Sequence, residues 1–127
     1  MCNLILSSAF ISELAGGNII DRAEPYLVVT KFKDRSPEVS VSSGYNYKLG
    51  SEVEFNIDEK KLFKLTNIEG STAWAEDDIL DKKIISAMKM GNKLKVKAAS
   101  GNGKYSIDNY SLSGFSKAYA AMLNCAI

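Results

Sequence analysis

The chain has no histidine in its 127 residues. That removes the commonest general base near neutral pH and the commonest metal ligand. A Ser-His-Asp or Cys-His arrangement is impossible. Only two cysteines are present, Cys2 and Cys125, so an ordinary structural zinc site cannot form within one molecule. An excess of one charge is also missing: sixteen basic residues stand against fifteen acidic ones, a net charge of +1. With no basic tract, nothing points to nucleic acid or to an anionic membrane. The longest apolar runs are far too short to span a bilayer. No N-terminal segment joins a charged start, an apolar middle and a small-residue cleavage site. Either the protein is not exported, or the numbering begins after a removed signal. Carboxylate-only catalysis and oxygen-ligand calcium sites survive these exclusions. No cofactor is expected.

What is present has the proportions of one ordinary domain, residues 1–127, with 46% apolar and 24% charged residues. Short alternating segments dominate. "YLVVT" (Tyr26 to Thr30) follows Pro25. "EVSVS" (Glu38 to Ser42) alternates, as does "SEVEFNI", which sets Val53, Phe55 and Ile57 on one face. "KLFKLT" (Lys61 to Thr66) and "TAWA" (Thr72 to Ala75) follow. "NKLKVKAAS" turns Leu94, Val96 and Ala98 inward and Lys93, Lys95 and Lys97 outward. "KYSIDNY" puts Tyr105, Ile107 and Asn109 on one face, and "CNLILSS" can supply a further strand. Period-two runs bounded by Gly, Asn, Asp and Ser mark half-buried antiparallel strands. Two helices fit the rest. Asp81 to Met90 carries Ile84, Ile85 and Met88, with Asp81 as N-cap and Gly91 as stop. Near the C-terminus, Phe115, Ala118, Tyr119 and Met122 fall at helical spacing beside Leu123, with Ser113 as cap. The expected fold is all-β, an antiparallel sandwich or flattened barrel with both helices packed on it. Phe115, Tyr119, Met122 and Leu123 should face the sheet. "GGNIIDRAE" reads as an exposed loop.

No catalytic or metal residues are assigned. Glu76, Asp77 and Asp78, with Asp81, form the densest acidic cluster. They lack the spacing and glycine of an EF-hand loop, and acids favour the start of the helix that follows. They are also the best acids for a carboxylate enzyme. An acid pair at the mouth of a concave pocket would support that reading, and acids splayed on a solvated helix start would oppose it. Lys93, Lys95 and Lys97 read either as the wet face of an edge strand or as a docking face for an acidic polymer. Lys82, Lys83 and Lys89 would reinforce the second reading. Tyr45 and Tyr47 in "GYNYKLG" offer a contact surface, although one of such a pair more often packs on the core. Trp74 reads as a core anchor. "SGNGKY" is a hairpin turn and not a phosphate loop. The two cysteines admit three readings: buried thiols, a lipid-anchored Cys2, or a disulfide from Cys2 to Cys125. Closing so long a loop contributes about 5 kcal/mol in the chain-entropy model.

Several stretches together carry a resemblance. "YLVVT", "EVSVSSGYNYKLGSEVEFNI", "STAWAEDD" and "AMKMGNKLKVKAASGNGKYSIDNYSLSGFSKAYAAM", closed by Cys125, are similar to the invasion-associated locus B family of Gram-negative bacteria. The specific parts are Thr72 to Ala75, Ala87 to Gly91 and Tyr110 to Ala118. The resemblance implies a small exported protein, periplasmic or secreted, whose signal peptide, with at most one initial strand, precedes this numbering. It implies that Cys2 and Cys125 are the family's early and late cysteines and form a disulfide. It also implies a non-enzymatic envelope protein, linked by its family to host-cell invasion. From the residues themselves, the expected binding surface is Tyr45 and Tyr47 or Lys93, Lys95 and Lys97, and the expected partner an envelope or host protein or glycan. A carboxylate enzyme and a purely structural envelope protein are the alternatives. The chain departs from the family at Gly101-Asn102-Gly103-Lys104, where an Arg-Gly-Thr turn is common, and at Tyr45-Asn46-Tyr47, in place of an aromatic-proline turn.

Overall fold

A computed structural model describes residues 2–7, 10–15 and 22–125. Ten strands and two helices follow one another: β1 (Cys2–Ser7), β2 (Phe10–Ala15), β3 (Tyr26–Lys31), β4 (Glu38–Ser42), β5 (Val53–Ile57), β6 (Lys61–Leu65), β7 (Asn67–Glu69), β8 (Thr72–Trp74), α1 (Asp78–Met90), β9 (Lys93–Ala99), β10 (Tyr105–Ser111) and α2 (Phe115–Cys125). They build two antiparallel five-stranded sheets. One, sheet A, has the order β1-β3-β4-β8-β7, and the other, sheet B, has β2-β10-β9-β5-β6. The all-β expectation with a mid-chain and a C-terminal helix therefore holds. The barrel alternative does not, because neither sheet closes on itself.

Alternation places the core. Leu27, Val29, Val39 and Val41 of sheet A are fully buried or nearly so, as are Val53, Phe55, Leu94 and Val96 of sheet B. Burying each such side chain stabilises the fold by roughly 1.5–3 kcal/mol. Helix α1 adds Ile84, Ile85, Ala87 and Met88, and α2 adds Phe115, Tyr119 and Met122. Leu123 was expected to join that face, but it is 39% exposed. It follows Met122 by one residue, about 100° further round the helix.

Both helix starts differ from expectation. The Asp77 side chain caps α1 by accepting from the Leu80 N–H at 2.8 Å, one turn before Asp81. Residues 78–80 are thereby helical, and Asp81 lies inside the helix. At α2, Gly114 with φ +79° precedes the first helical residue, and the Ala118 N–H donates to the Gly114 carbonyl. Ser113 instead donates its N–H to the Ser111 hydroxyl.

The hairpin between β5 and β6 turns through Asp58 and Glu59, both left-handed, with φ 55° and 58°. The Asp58 carboxylate accepts the Asn92 and Lys93 N–H groups and so fixes the start of β9 against the turn. No described helix is long and apolar enough to cross a membrane. That observation does not bear on strands.

Candidate functional site

Strand β10 is the first surprise. Ser106, Asp108 and Tyr110 are the buried face, while Tyr105, Ile107 and Asn109 share the partly exposed one. Asp108 is 0% exposed and meets Arg22, which lies in a segment read from the sequence as an exposed loop. Two guanidinium nitrogens donate to the two carboxylate oxygens, at 2.6 and 3.1 Å. The side chains are only 3% and 1% exposed. Arg22 also donates to the Ser43 carbonyl. A bidentate pair suits this geometry because the guanidinium fork matches a carboxylate.

Tyr45 and Tyr47 belong to the same polar cluster. Tyr47 is 4% exposed, and its hydroxyl is bonded to the Ser43 hydroxyl and the Val41 carbonyl. Tyr45 is half-buried and donates to the Ala98 carbonyl, with the Ser106 hydroxyl 2.7 Å away. The rings meet edge to face at 5.7 Å. Burial pushes both phenols above their ordinary pKa, so both stay neutral near pH 7. Tyr47 is thus a core residue that no partner can reach, which corrects its expected surface role. Tyr45 directs its polar tip inward. The segment ties the end of β4 to β9 and β10 across the two sheets. Gly44, with φ +87°, makes the close approach: an added Cβ would lie 1.9 Å from the Ala23 carbonyl oxygen.

The acidic cluster lies beside a cleft of about 550 Å³. Trp74 forms part of its wall, with Asp77, Asp78, Asp81, Glu38 and Arg35. Trp74 pairs with Ser40 on the outer side of sheet A and is only half-buried, so it is not the expected core anchor. Two of the acids hold backbone. Asp77 caps α1, and Asp81 accepts the Val39 N–H at 3.0 Å. Glu76 is exposed and does not line the cleft. Among the described residues no group of three or more His, Cys, Asp or Glu side chains is placed to hold a metal ion.

Asp81 is 6% exposed, and burial raises its pKa above the usual carboxylate value, helped by Glu38, Asp78 and Asp77. A raised folded-state pKa means that wild-type stability falls as pH rises from the unfolded value through the folded one. Asp81→Asn keeps an acceptor for Val39 but carries no charge. Its stability relative to wild type should therefore increase between about pH 3 and pH 7 in thermal melts. A pH-independent difference would disprove this. Asp81→Leu leaves the Val39 N–H unpaired and should cost about 1–3 kcal/mol.

Lys93, Lys95 and Lys97 are exposed, as expected. Their strand is not an edge, however, since β9 lies between β10 and β5. Carboxylates interleave with them. Lys95 meets Glu59 at 2.8 Å, and Lys97 lies opposite Glu54 in register. Lys97 also lies over the Tyr105 ring.

The sequence profile described as "Invasion associated locus B (IalB) protein" matches residues 12–123. The chain belongs to the invasion associated locus B family. A search of curated proteins returned no match. Among solved structures, the crystal structure of invasion associated protein b from Bartonella henselae superposes with a TM-score of 0.60 at 19% identity. The match covers 86% of this chain and 80% of that one. At that identity the likeness establishes a shared fold. In this locus B protein the Arg22–Asp108 pair lies inside the fold.

Proposed function

We propose that this locus B protein is a non-enzymatic interaction module acting outside the cytoplasm, in the periplasm or at the cell envelope. The observation that carries this reading is where the charges go. Of the acids named for a carboxylate enzyme, Asp77 is bound to a backbone N–H group and Glu76 lies outside the cleft, while Asp78 lines it beside Asp81, which is also bound to backbone. An exposed row of lysines, Lys93, Lys95 and Lys97, interleaved with Glu54 and Glu59, lies on sheet B. A rigid sheet presenting a polar face is suited to contact with an envelope or host protein or glycan. Membership of the invasion associated family supports a role in host contact, and its description names no reaction.

The test is capture of envelope proteins and glycans by the folded protein and by a Lys93→Ala, Lys95→Ala, Lys97→Ala variant. The triple variant should lose partners that wild type retains, with the loss greatest at low salt. An unchanged partner set would exclude this face as the contact surface. Capture of nothing by either form would favour a purely structural envelope role.

A further inference from the structure

Sheet B ends at β6. Its partner strand is β5, and among the described residues no strand pairs with its other side. An edge strand presents unpaired N–H and C=O groups that can template a further strand. Helix α1 stands alongside. Strand and helix enclose a groove of about 480 Å³, lined by Lys61, Leu62 and Phe63 from β6 and by Lys82, Lys83 and Ser86 from α1. Leu62 is 55% exposed. On the helix, Ile79, Lys82, Lys83, Ser86 and Met90 recur at helical spacing and are all exposed. Ile79 at 61% and Met90 at 82% are exposed apolar residues on the same helix face, outside the groove lining itself.

The lysines here differ from those elsewhere on sheet B. Lys64 and Lys95 lie within 4 Å of Glu52 and Glu59. Among the described residues, Lys61, Lys82 and Lys83 have no carboxylate within that distance. The groove therefore joins an open backbone edge, exposed apolar side chains and uncompensated positive charge.

We propose that the β6 edge and the facing side of α1 bind an extended acidic peptide segment of a partner protein, which adds as a strand to β6. Backbone hydrogen bonds to the edge supply affinity, and alternate side chains supply specificity. Acidic residues of the segment meet Lys61, Lys82 and Lys83, while apolar ones lie against Leu62. A second copy of β6 is disfavoured as occupant, because its own Lys61 and Lys64 would approach the same lysines. This deepens the interaction-module reading and rests on it only in assuming that the protein has partners.

The probe is a fluorescein-labelled nonapeptide of alternating valine and glutamate, titrated with the full chain and read by fluorescence anisotropy. Saturable binding that weakens with added salt is expected, and the lysine-for-glutamate peptide should not bind. Lys82→Glu with Lys83→Glu should weaken binding by about tenfold or more. Both positions are exposed, and an unchanged melting curve would establish that the variant folds. A glutamate peptide N-methylated at alternate backbone nitrogens should lose binding, which charge attraction alone would not explain. Equal binding by the double variant or by the methylated peptide would overturn the proposal, as would no saturable binding. Binding lost only in the Lys93, Lys95, Lys97 variant would also overturn the groove, while leaving the interaction-module reading intact.

Discussion

Replacing Arg22 with Met should lower the melting temperature by about 10–20 °C. The substitution leaves the Asp108 carboxylate uncompensated at a site where its side chain is 1% exposed. Removing one partner of a buried ion pair costs roughly 3–5 kcal/mol, because the remaining charge has neither water nor a counter-ion. For a chain of this length each kcal/mol corresponds to about 3–5 °C. The same substitution frees the Ser43 carbonyl, which Arg22 also binds. The pair itself is a different quantity from the damage done by halving it. Arg22 Nε is buried without a hydrogen-bond partner among the described residues, as is the Tyr110 hydroxyl. Such groups carry a desolvation penalty of about 1–3 kcal/mol each. Joint replacement by Arg22→Met and Asp108→Leu should therefore recover most of the loss. Thermal melts of the two single variants and the double variant decide it. A single Arg22→Met variant melting within a few degrees of wild type would show that the pair is not desolvated as the geometry describes.

The origin of that pair explains what could and could not be read from the sequence. Strands with a clean apolar–polar alternation, such as Val53-Phe55-Ile57 and Leu94-Val96-Ala98, revealed both their existence and their buried face. In β10 the alternation sets Ile107 against Ser106 and Asp108, and hydrophobicity alone favours the wrong face. The phase was nonetheless present downstream: Tyr110 and Leu112 continue the register of Asp108 and are both buried. No local signal identified Arg22, because its partner is 86 residues away and sheet pairing alone brings them together. The three-residue β7 lies below the length at which a period can be recognised. Trp74 misled for a related reason. A large aromatic is usually core, but β8 alternates so that Ala73 points inward and Trp74 outward. The acids before α1 behaved as a helix start should, shifted by one turn. The lysine row was legible as an outward face, whereas its central position in sheet B depended on strand order, which periodicity does not encode.

The second large effect concerns the two ends of the chain. Cys2 lies in β1 and packs half-buried against the core, opposite Lys31 of β3. Helix α2 contacts β1 and runs to Cys125, whose side chain lies outside the described residues. We propose that Cys2 and Cys125 are bonded. A bond there would close nearly the whole chain into one loop, and the chain-entropy model assigns such a loop about 5 kcal/mol of stabilisation. Strand β1 is also an edge strand of sheet A and is paired only with β3 among the described residues. Without the bond, α2 is held by Phe115, Tyr119 and Met122, all early or midway in the helix. Reduction should therefore free the helix end and β1 first, and lower the melting temperature by about 10 °C or more. Cys2→Ser should reproduce that loss and become insensitive to reductant. Under native oxidising conditions the intact chain should weigh two hydrogens less than its dithiol form. Two titratable thiols in the non-reduced protein would refute the bond, as would a lipid adduct on Cys2. Since such a bond persists only in an oxidising compartment, the same mass measurement on protein recovered from cells tests where the protein resides.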